Sequence, residues 1–345
     1  MKNKQIGLYD EEDRMKILSE MGDPLEKLNK VIKWEMFREV LTAVRSKENA
    51  KATGRPPFDV VMMFKILVLQ KLYNLSDDQT EYQINDRLTF MRFLGLDLGD
   101  KIPDSKTIWK FKNDLSEAKA AEKLFCLFDE MLEKEGLITH KGSIVDATFV
   151  DVPRQRNHHD ENKKIKGGEI PEEWKKPKNA KKLAQKDTDA RWAKKNNETH
   201  FGYKDHVKCD ADSKLITNYS VTNAALHDSN CCEIFFENSD EKFYADSAYS
   251  SKEIAKAMPE NCENLICEKG TRNHPLTDEQ KENNRTKSKI RCRIEHIFGF
   301  MTRSMNGITI RTIGITRAWF NIGLTNLVYN FCRYRFLKTV QPSKG

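Results

Sequence analysis

The hydrophobic positions of this chain fall into two textures that meet near residue 138. Before it, apolar residues recur at helical spacing, as in Leu25 to Val44 (LEKLNKVIKWEMFREVLTAV). Pro56 and Pro57 are placed to open an apolar helix over Val60 to Tyr73, since proline is tolerated in a first turn. Ser76 and Gln79 form a capping-box pattern before a segment that runs to Gly95, a natural stop. Asp104 and Ser105 can cap the next helix (TIWKFKNDL), which leads into an apolar helix over Ala121 to Leu132. Short helices joined by tight turns, one carrying Lys106, Lys110 and Lys112, suit a helix-turn-helix-like DNA reader. An all-helical dimerisation domain has the same pattern.

From about residue 138 the pattern turns to strands. Ser143 to Val150, Tyr203 to Cys209 and Leu215 to Thr222 are strand-like. A helix is expected near 229 to 238, then a strand at Lys242 to Asp246, a helix from Ser250 and a strand near Asn264 to Cys267. A long helix over 287 to 303 and an amphipathic one from Arg317 to Leu337 close the chain. Three strands followed by alternating helix and strand describe a mixed α/β sheet. The predicted division is a helical domain over 1–137 and a mixed-sheet domain over 138–340. The segment 153 to 202 is polar, rich in Lys and Asn, and too poor in apolar residues for a core of its own. It reads as an insertion that is mobile in the free protein.

Composition adds a partner. The net charge is only +7, but residues 154 to 195 carry 14 Lys/Arg against 7 Asp/Glu, and residues 281 to 317 carry 9 against 2. Blocks of this kind neutralise phosphates and release counterions, which makes nucleic acid the first partner to consider. A solvated surface is the plainer reading of the first block. The richest apolar run, Phe58 to Tyr73, is broken by Asp59, Lys65, Gln70 and Lys71, so it reads as a buried helix and not a membrane span. The charged N-terminus has no apolar leader, and a cytoplasmic location is expected. Eight dispersed cysteines read as reduced, mostly buried thiols, and the Cys262/Cys267 spacing lacks a second pair for zinc.

Three carboxylates carry the chemistry. Asp146 interrupts an apolar strand, where a charge is costly unless something pairs with it. Asp246 ends another strand, on the side where open α/β sheets bind ligands. Glu295 lies between Ile294 and Ile297 on the long helix, one turn after Arg291. Two strand aspartates and a helix glutamate can offer oxygen ligands to two hard cations for in-line phosphoryl displacement. Taken singly, each aspartate can also be a turn or cap residue, and Glu295 with Arg291 an ordinary helix pair.

In order along the chain, GRPPFDVVMMFKILVLQKLYNLSDDQTEYQINDRLTFMRFLGL, IPDSKTIWKFKNDL, GSIVDATFVDVP, DTDARWAKKNNETHFGYKDHVKCD, VTNAALHDS, FYADSAYSSKE and KSKIRCRIEHIFGFMTR resemble the DDE transposases of insertion sequences, specifically the insertion-sequence-five group. The resemblance covers roughly residues 35 to 335. It implies an RNase H-like catalytic domain behind an all-helical N-terminal domain, an α/β chain with Asp146, Asp246 and Glu295 as catalytic and metal-binding residues. It also implies two Mg2+ ions, with Mn2+ able to substitute, double-stranded DNA at element ends and target, and a homodimer on DNA. No membrane and no small-molecule substrate are expected. A nuclease that cuts without joining, or a domesticated DNA-binding protein, are the alternatives. Where the wider family shows Tyr and Lys on the glutamate helix, this chain has Ser288 and Thr302, with Arg303 adjacent. Candidate DNA contacts are Lys106, Lys110, Lys112, Lys175, Lys176, Lys178, Lys181, Lys182, Lys204, Arg291 and Arg303. His227, in the HDS segment, is a candidate neighbour of the active site, and Asp228 a candidate helix cap. Trp192 and Trp319 read as packing residues.

Overall fold

The computed structural model describes residues 10–46, 56–195 and 197–340, so Gly54 and Arg55 of the first matched stretch lie outside the described residues. The chain divides into two compact units, Met1–Ala118 with Phe331–Gly345, and Lys119–Asn330.

The first unit is helical: α1 (Asp10–Glu20), α2 (Pro24–Val31), α3 (Arg38–Ser46), α4 (Val60–Leu72), α5 (Asp77–Asp86), α6 (Leu88–Leu94) and α7 (Ser105–Glu117). Pro56 and Pro57 do not open α4; they precede Asp59, whose carboxylate caps the Val61 and Met62 amides at 2.9 Å. Leu25 to Val44 is likewise not one helix. A 3-10 turn at Trp34–Phe37 interrupts it, and side chains three apart eclipse there, so both rings turn inward. They meet Phe64 and Phe331 with ring centroids 5.1–6.3 Å apart. The Ser76/Gln79 capping box forms as expected, and Gly95 ends α6 at φ 75, a left-handed conformation that suits glycine.

The second unit begins with α8 (Ala120–Lys134) and β1 (Ser143–Asp151). A segment with α9 (His159–Lys166), α10 (Glu172–Lys175) and α11 (Ala180–Ala184) separates β1 from β2 (Arg191–Lys195) and β3 (Glu198–Asp210). Then come β4 (Ile216–Asn223), β5 (Lys242–Tyr244), α12 (Lys252–Ala257), β6 (Glu263–Asn264), α13 (Asp278–Arg291), α14 (Arg293–Arg303) and α15 (Ile315–Val340). β1 is antiparallel to β3 along its whole length and parallel to β5, which is parallel to β6; β3 is also antiparallel to β2 and β4. An antiparallel meander continued by parallel strands through β1 is the RNase H-like arrangement. Gly202 lets β3 change partners: at φ 155, a Cβ there would stand 2.2 Å from the Val150 carbonyl oxygen.

α15 is fastened to the sheet by side-chain amides. Asn330 accepts from the Ile216 amide at 2.9 Å and donates to its carbonyl at 2.7 Å, and Asn326 donates to Asp205 at 3.0 Å. The 153–202 segment is folded, contrary to its reading as mobile and coreless. Trp174 is fully buried, Ile165 nearly so, and the Trp174 indole donates to Glu161 at 2.6 Å. Asp187 ties the segment down further, accepting the Tyr203 hydroxyl at 2.8 Å and the Ala190 amide at 3.0 Å, while Asp189 accepts the Ile315 amide at 2.9 Å at the start of α15. An anion at a helix N-terminus is electrostatically favoured, a cue that apolar counting misses.

Two further expectations change. The helix expected at 229–238 is a pair of 3-10 turns, Asp228–Cys231 and Glu233–Phe235, which send Cys231, Cys232 and Phe235 into the core. The long helix over 287–303 is broken at Cys292, whose ψ of −12° is too flat to continue the α turn. The break leaves Arg291 at the end of one helix and Glu295 in the first turn of the next.

Candidate active site

β1 and β5 lie side by side and parallel, and Asp246, just after β5, is near enough to Asp146 on β1 to act on its charge. Asp146 sits on β1 opposite Val207 of β3, with its side chain 16% exposed. Its Oδ1 accepts the Ala147 amide at 2.8 Å, which leaves Oδ2 as the outward oxygen. Burial pushes its carboxyl above the usual range; the Ala147 amide opposes this, nearby Asp246 adds to it, and Arg291 opposes it. Asp246 follows β5 and caps the turn Ser247–Tyr249, accepting the Ala248 amide at 2.8 Å. Glu295 is exposed in the first turn of α14.

Arg291 joins strand and helix carboxylates. Its Nη1 lies 3.2 Å from Asp146 Oδ2 and its Nη2 3.5 Å from Glu295 Oε1. The sequence offered this arginine as an ordinary helix pair or a DNA contact, and the structure sets it on both acids. Asp146, Asp246 and Glu295 offer hard oxygen donors, and a divalent cation would relieve both the burial of Asp146 and its repulsion from Asp246, although their oxygens do not all lie within 4.8 Å of one another in this structure. The chemistry of the donors fits such an ion.

Tyr249 escapes sequence reading, and Lys204, Asp228 and His227 take roles other than those expected. Tyr249 is 1% exposed, and its hydroxyl has no hydrogen-bond partner among the described residues. Burial raises its pKa well above the ordinary value, and the charges of Asp228, Asp146 and Asp246 add to this. An aromatic with a polar tip three residues after a strand-end acid is the only signal the sequence holds. Lys204, a candidate DNA contact, is buried and donates to the Leu226 carbonyl at 2.6 Å and to Asp228 at 2.7 Å. Asp228 is thus a salt-bridge partner, and His227 does the capping, its Nδ1 accepting from the Ser229 amide at 3.3 Å. His227 is exposed on that turn.

The other candidates lie apart. Lys106 and Lys110 are exposed on one face of α7 beside Trp109, while Lys112 faces inward, ion-paired with Asp77 and hydrogen-bonded to Gln70. Arg303 is exposed at the end of α14. Lys175, Lys178 and Lys182 pair with Glu172 at 2.6 Å, Glu173 at 3.2 Å and Glu161 at 2.9 Å; Lys176 also pairs with Glu173, and Lys181 is exposed. Trp192 is not a packing residue in full: it is 40% exposed, with the Arg154 guanidinium 5.7 Å from its ring centroid. It edges a cavity of about 460 Å³ lined also by Lys163, Lys166, Arg191, Gln155 and Phe201. All eight cysteines are free, five of them buried.

A mixed sheet with one acid within β1, a second just after β5 and a third on a packed helix is an RNase H-like arrangement. Residues 138–331 match the family described as Transposase DDE domain, and residues 12–114 the one described as Transposase domain (DUF772). The chain belongs to the DDE transposases, phosphoryl-transfer enzymes that move mobile elements and use divalent metal ions. Among solved structures it is similar to piggyBac transposase in a synaptic complex with hairpin DNA, seen by cryo-EM, at 11% identity and a TM-score of 0.45 over 98% of this chain and 77% of that one. Among the described residues, no helix is long and apolar enough to cross a membrane.

Proposed function

We propose that this transposase binds the terminal inverted repeats of an insertion sequence, cleaves DNA at the element's ends and joins the freed 3′-hydroxyls to target DNA. Asp146, Asp246 and Glu295 are its catalytic residues and hold two divalent ions, Mg2+ by preference and Mn2+ in its place. The observation that carries this reading is the single guanidinium spanning Asp146 and Glu295, with Asp246 close enough to raise the Asp146 pKa.

When bound, the ions supply positive charge to the attacking and leaving oxygens of an in-line displacement. The chain's own groups set the geometry. The Ala147 and Ala248 amides fix the two aspartates by one oxygen each, leaving the other oxygen of each for the site. Glu295 rides on α14, anchored by the buried Ile294 and Ile297. DNA is neutralised by Lys106 and Lys110 of the helical part (1–137), and by the basic segment 153–202 and Arg303 of the catalytic part (138–340). Two ends must be processed together, so the working form on DNA is a homodimer.

Asp146→Asn, Asp246→Asn and Glu295→Gln each keep the shape and remove a charge. Strand cleavage of an end-containing oligonucleotide should fall by about two to three orders of magnitude, with DNA binding retained. A variant that cuts at the parent's rate removes that residue from the site. Cleavage without joined product in the same assay would reduce the protein to a nuclease.

A further inference from the structure

We propose that Arg291 is an internal stand-in for the divalent cation, holding the acidic site closed in the DNA-free protein and passing to a DNA phosphate when substrate arrives. The inference rests on the reading of Asp146, Asp246 and Glu295 as metal carboxylates.

The guanidinium lies against two of the carboxylates read as holding the cation. It uses Oδ2 of Asp146, the oxygen that the Ala147 amide leaves open, and reaches Glu295 with its other terminal nitrogen. A divalent ion on the same oxygens would face a like charge, so the two occupants exclude each other. The contacts, 3.2 and 3.5 Å, are long beside the 2.7–2.9 Å usual for charge-assisted pairs, so this occupant is loosely held. Its exit is short: Arg291 is the last residue of α13, next to the break at Cys292, and its side chain is 21% exposed. Phosphate offers guanidinium a planar bidentate partner that this pair of separate acids does not. Lys195 also acts on Asp146 electrostatically and makes no hydrogen bond or ion pair with it among the described residues, so it lends charge without taking its oxygens.

The consequence is coupling. If the arginine-out state is about a tenth of the DNA-free population, apparent metal affinity is reduced about tenfold. DNA that captures Arg291 restores it, and by reciprocity bound metal tightens DNA binding. The chain then loads its ions where there is a substrate to cut.

The test titrates Mn2+ into the full-length protein and follows free Mn2+ by electron paramagnetic resonance, with and without a random-sequence duplex. Arg291→Gln should bind Mn2+ about tenfold more tightly than the parent without DNA, and the gain that duplex gives the parent should shrink in the variant. Arg291→Lys, which keeps the charge, should stay near the parent, and thermal melts establish that both variants are folded. Equal or weaker Mn2+ binding by folded Arg291→Gln without DNA overturns the proposal. An Asp146→Asn/Asp246→Asn double variant separates the two readings: Mn2+ binding equal to the parent's would sink the metal site itself, not the stand-in.

Discussion

Two acidic groups in the sheet unit each enclose a basic side chain, and they differ in how firmly it is held. In the candidate active site, Arg291 touches Asp146 and Glu295 at 3.2 and 3.5 Å, and Glu295 is 59% exposed. In the second group, His140, Glu237 and Asp240 bring their ligand atoms within 4.8 Å of one another. There Lys208 of β3 stands 2.7 Å from Asp240 and 3.0 Å from Glu237, with its side chain 1% exposed. The second group pairs two acids with a histidine, and the first brings together acids alone. Lys208 is fixed on a central strand, paired in register with Val145, and cannot leave without unpairing the sheet. Arg291 hangs at a helix end. The mobility of the internal cation therefore separates a structural acid cluster from one able to exchange its cation.

The largest stability effect should come from breaking the fixed group. Lys208→Met leaves Asp240, itself 3% exposed, with the His140 ring at 3.7 Å as its one ion-pair partner among the described residues. Removing one partner of a buried ion pair costs about 3–5 kcal/mol, so urea unfolding should shift by that amount. Arg291→Gln, at the open site, should stay within roughly 1 kcal/mol of the parent. Equal losses in the two variants would erase the distinction.

The same contrast explains what the sequence revealed. Asp146 and Asp246 stand out in the sequence because an acid inside an apolar strand, or ending one, breaks a pattern, whereas Glu295 is singled out only by the family resemblance. The helical part was legible down to its Ser76/Gln79 box and Gly95 stop, because caps are local chemistry. Partnership was hidden. Lys204 and Lys112 look like surface cations in sequence but are bound to Asp228 and Asp77, 24 and 35 residues away. The 153–202 segment looked coreless because its order comes from one tryptophan and from Asp187 and Asp189, not from apolar periodicity. The break at Cys292 carries no proline or glycine to announce it.

A third buried acid sharpens the comparison by using a proton where the others use a cation. Asp205 on β3 is fully buried, and burial pushes its pKa up to about 7, opposed by the Asn326 hydrogen bond. Among the described residues Asp205 Oδ2 and Asn326 Oδ1 have no hydrogen-bond partner, and a proton on Oδ2 would supply both at once. The folded pKa is raised above the unfolded value near 3.9, so the folded state keeps a proton that the unfolded state releases. Stability from this group is full below about pH 4 and is lost as pH rises to 7. Asp205→Asn makes the same pair with an amide at every pH. Its advantage over the parent should grow by roughly 2–3 kcal/mol between pH 5 and 8, measured by urea unfolding. A difference independent of pH would mean that Asp205 is ionised throughout and paired some other way.

The smallest effect concerns basic side chains that are neither buried nor at the site. Lys175, Lys176, Lys178 and Lys182 are paired with Glu172, Glu173 and Glu161, while Lys181 is exposed. Exposed pairs of this kind are worth about 0–1 kcal/mol, so a DNA phosphate can take the lysine from its glutamate as it would take Arg291 from the acids. Replacing all five lysines with Ala should weaken binding to specific and random duplexes by similar factors, because binding to phosphate carries no sequence information. The slope of log affinity against log salt should flatten by about 0.9 for each phosphate that is no longer neutralised. Local pairing holds the total to about one or two phosphates, well short of five. Glu173→Gln, which frees Lys176 and Lys178 together, should move the slope the other way. If neither variant changes the salt slope, the block is a solvated surface, and Arg291 is left as the cation in this unit whose release answers to DNA.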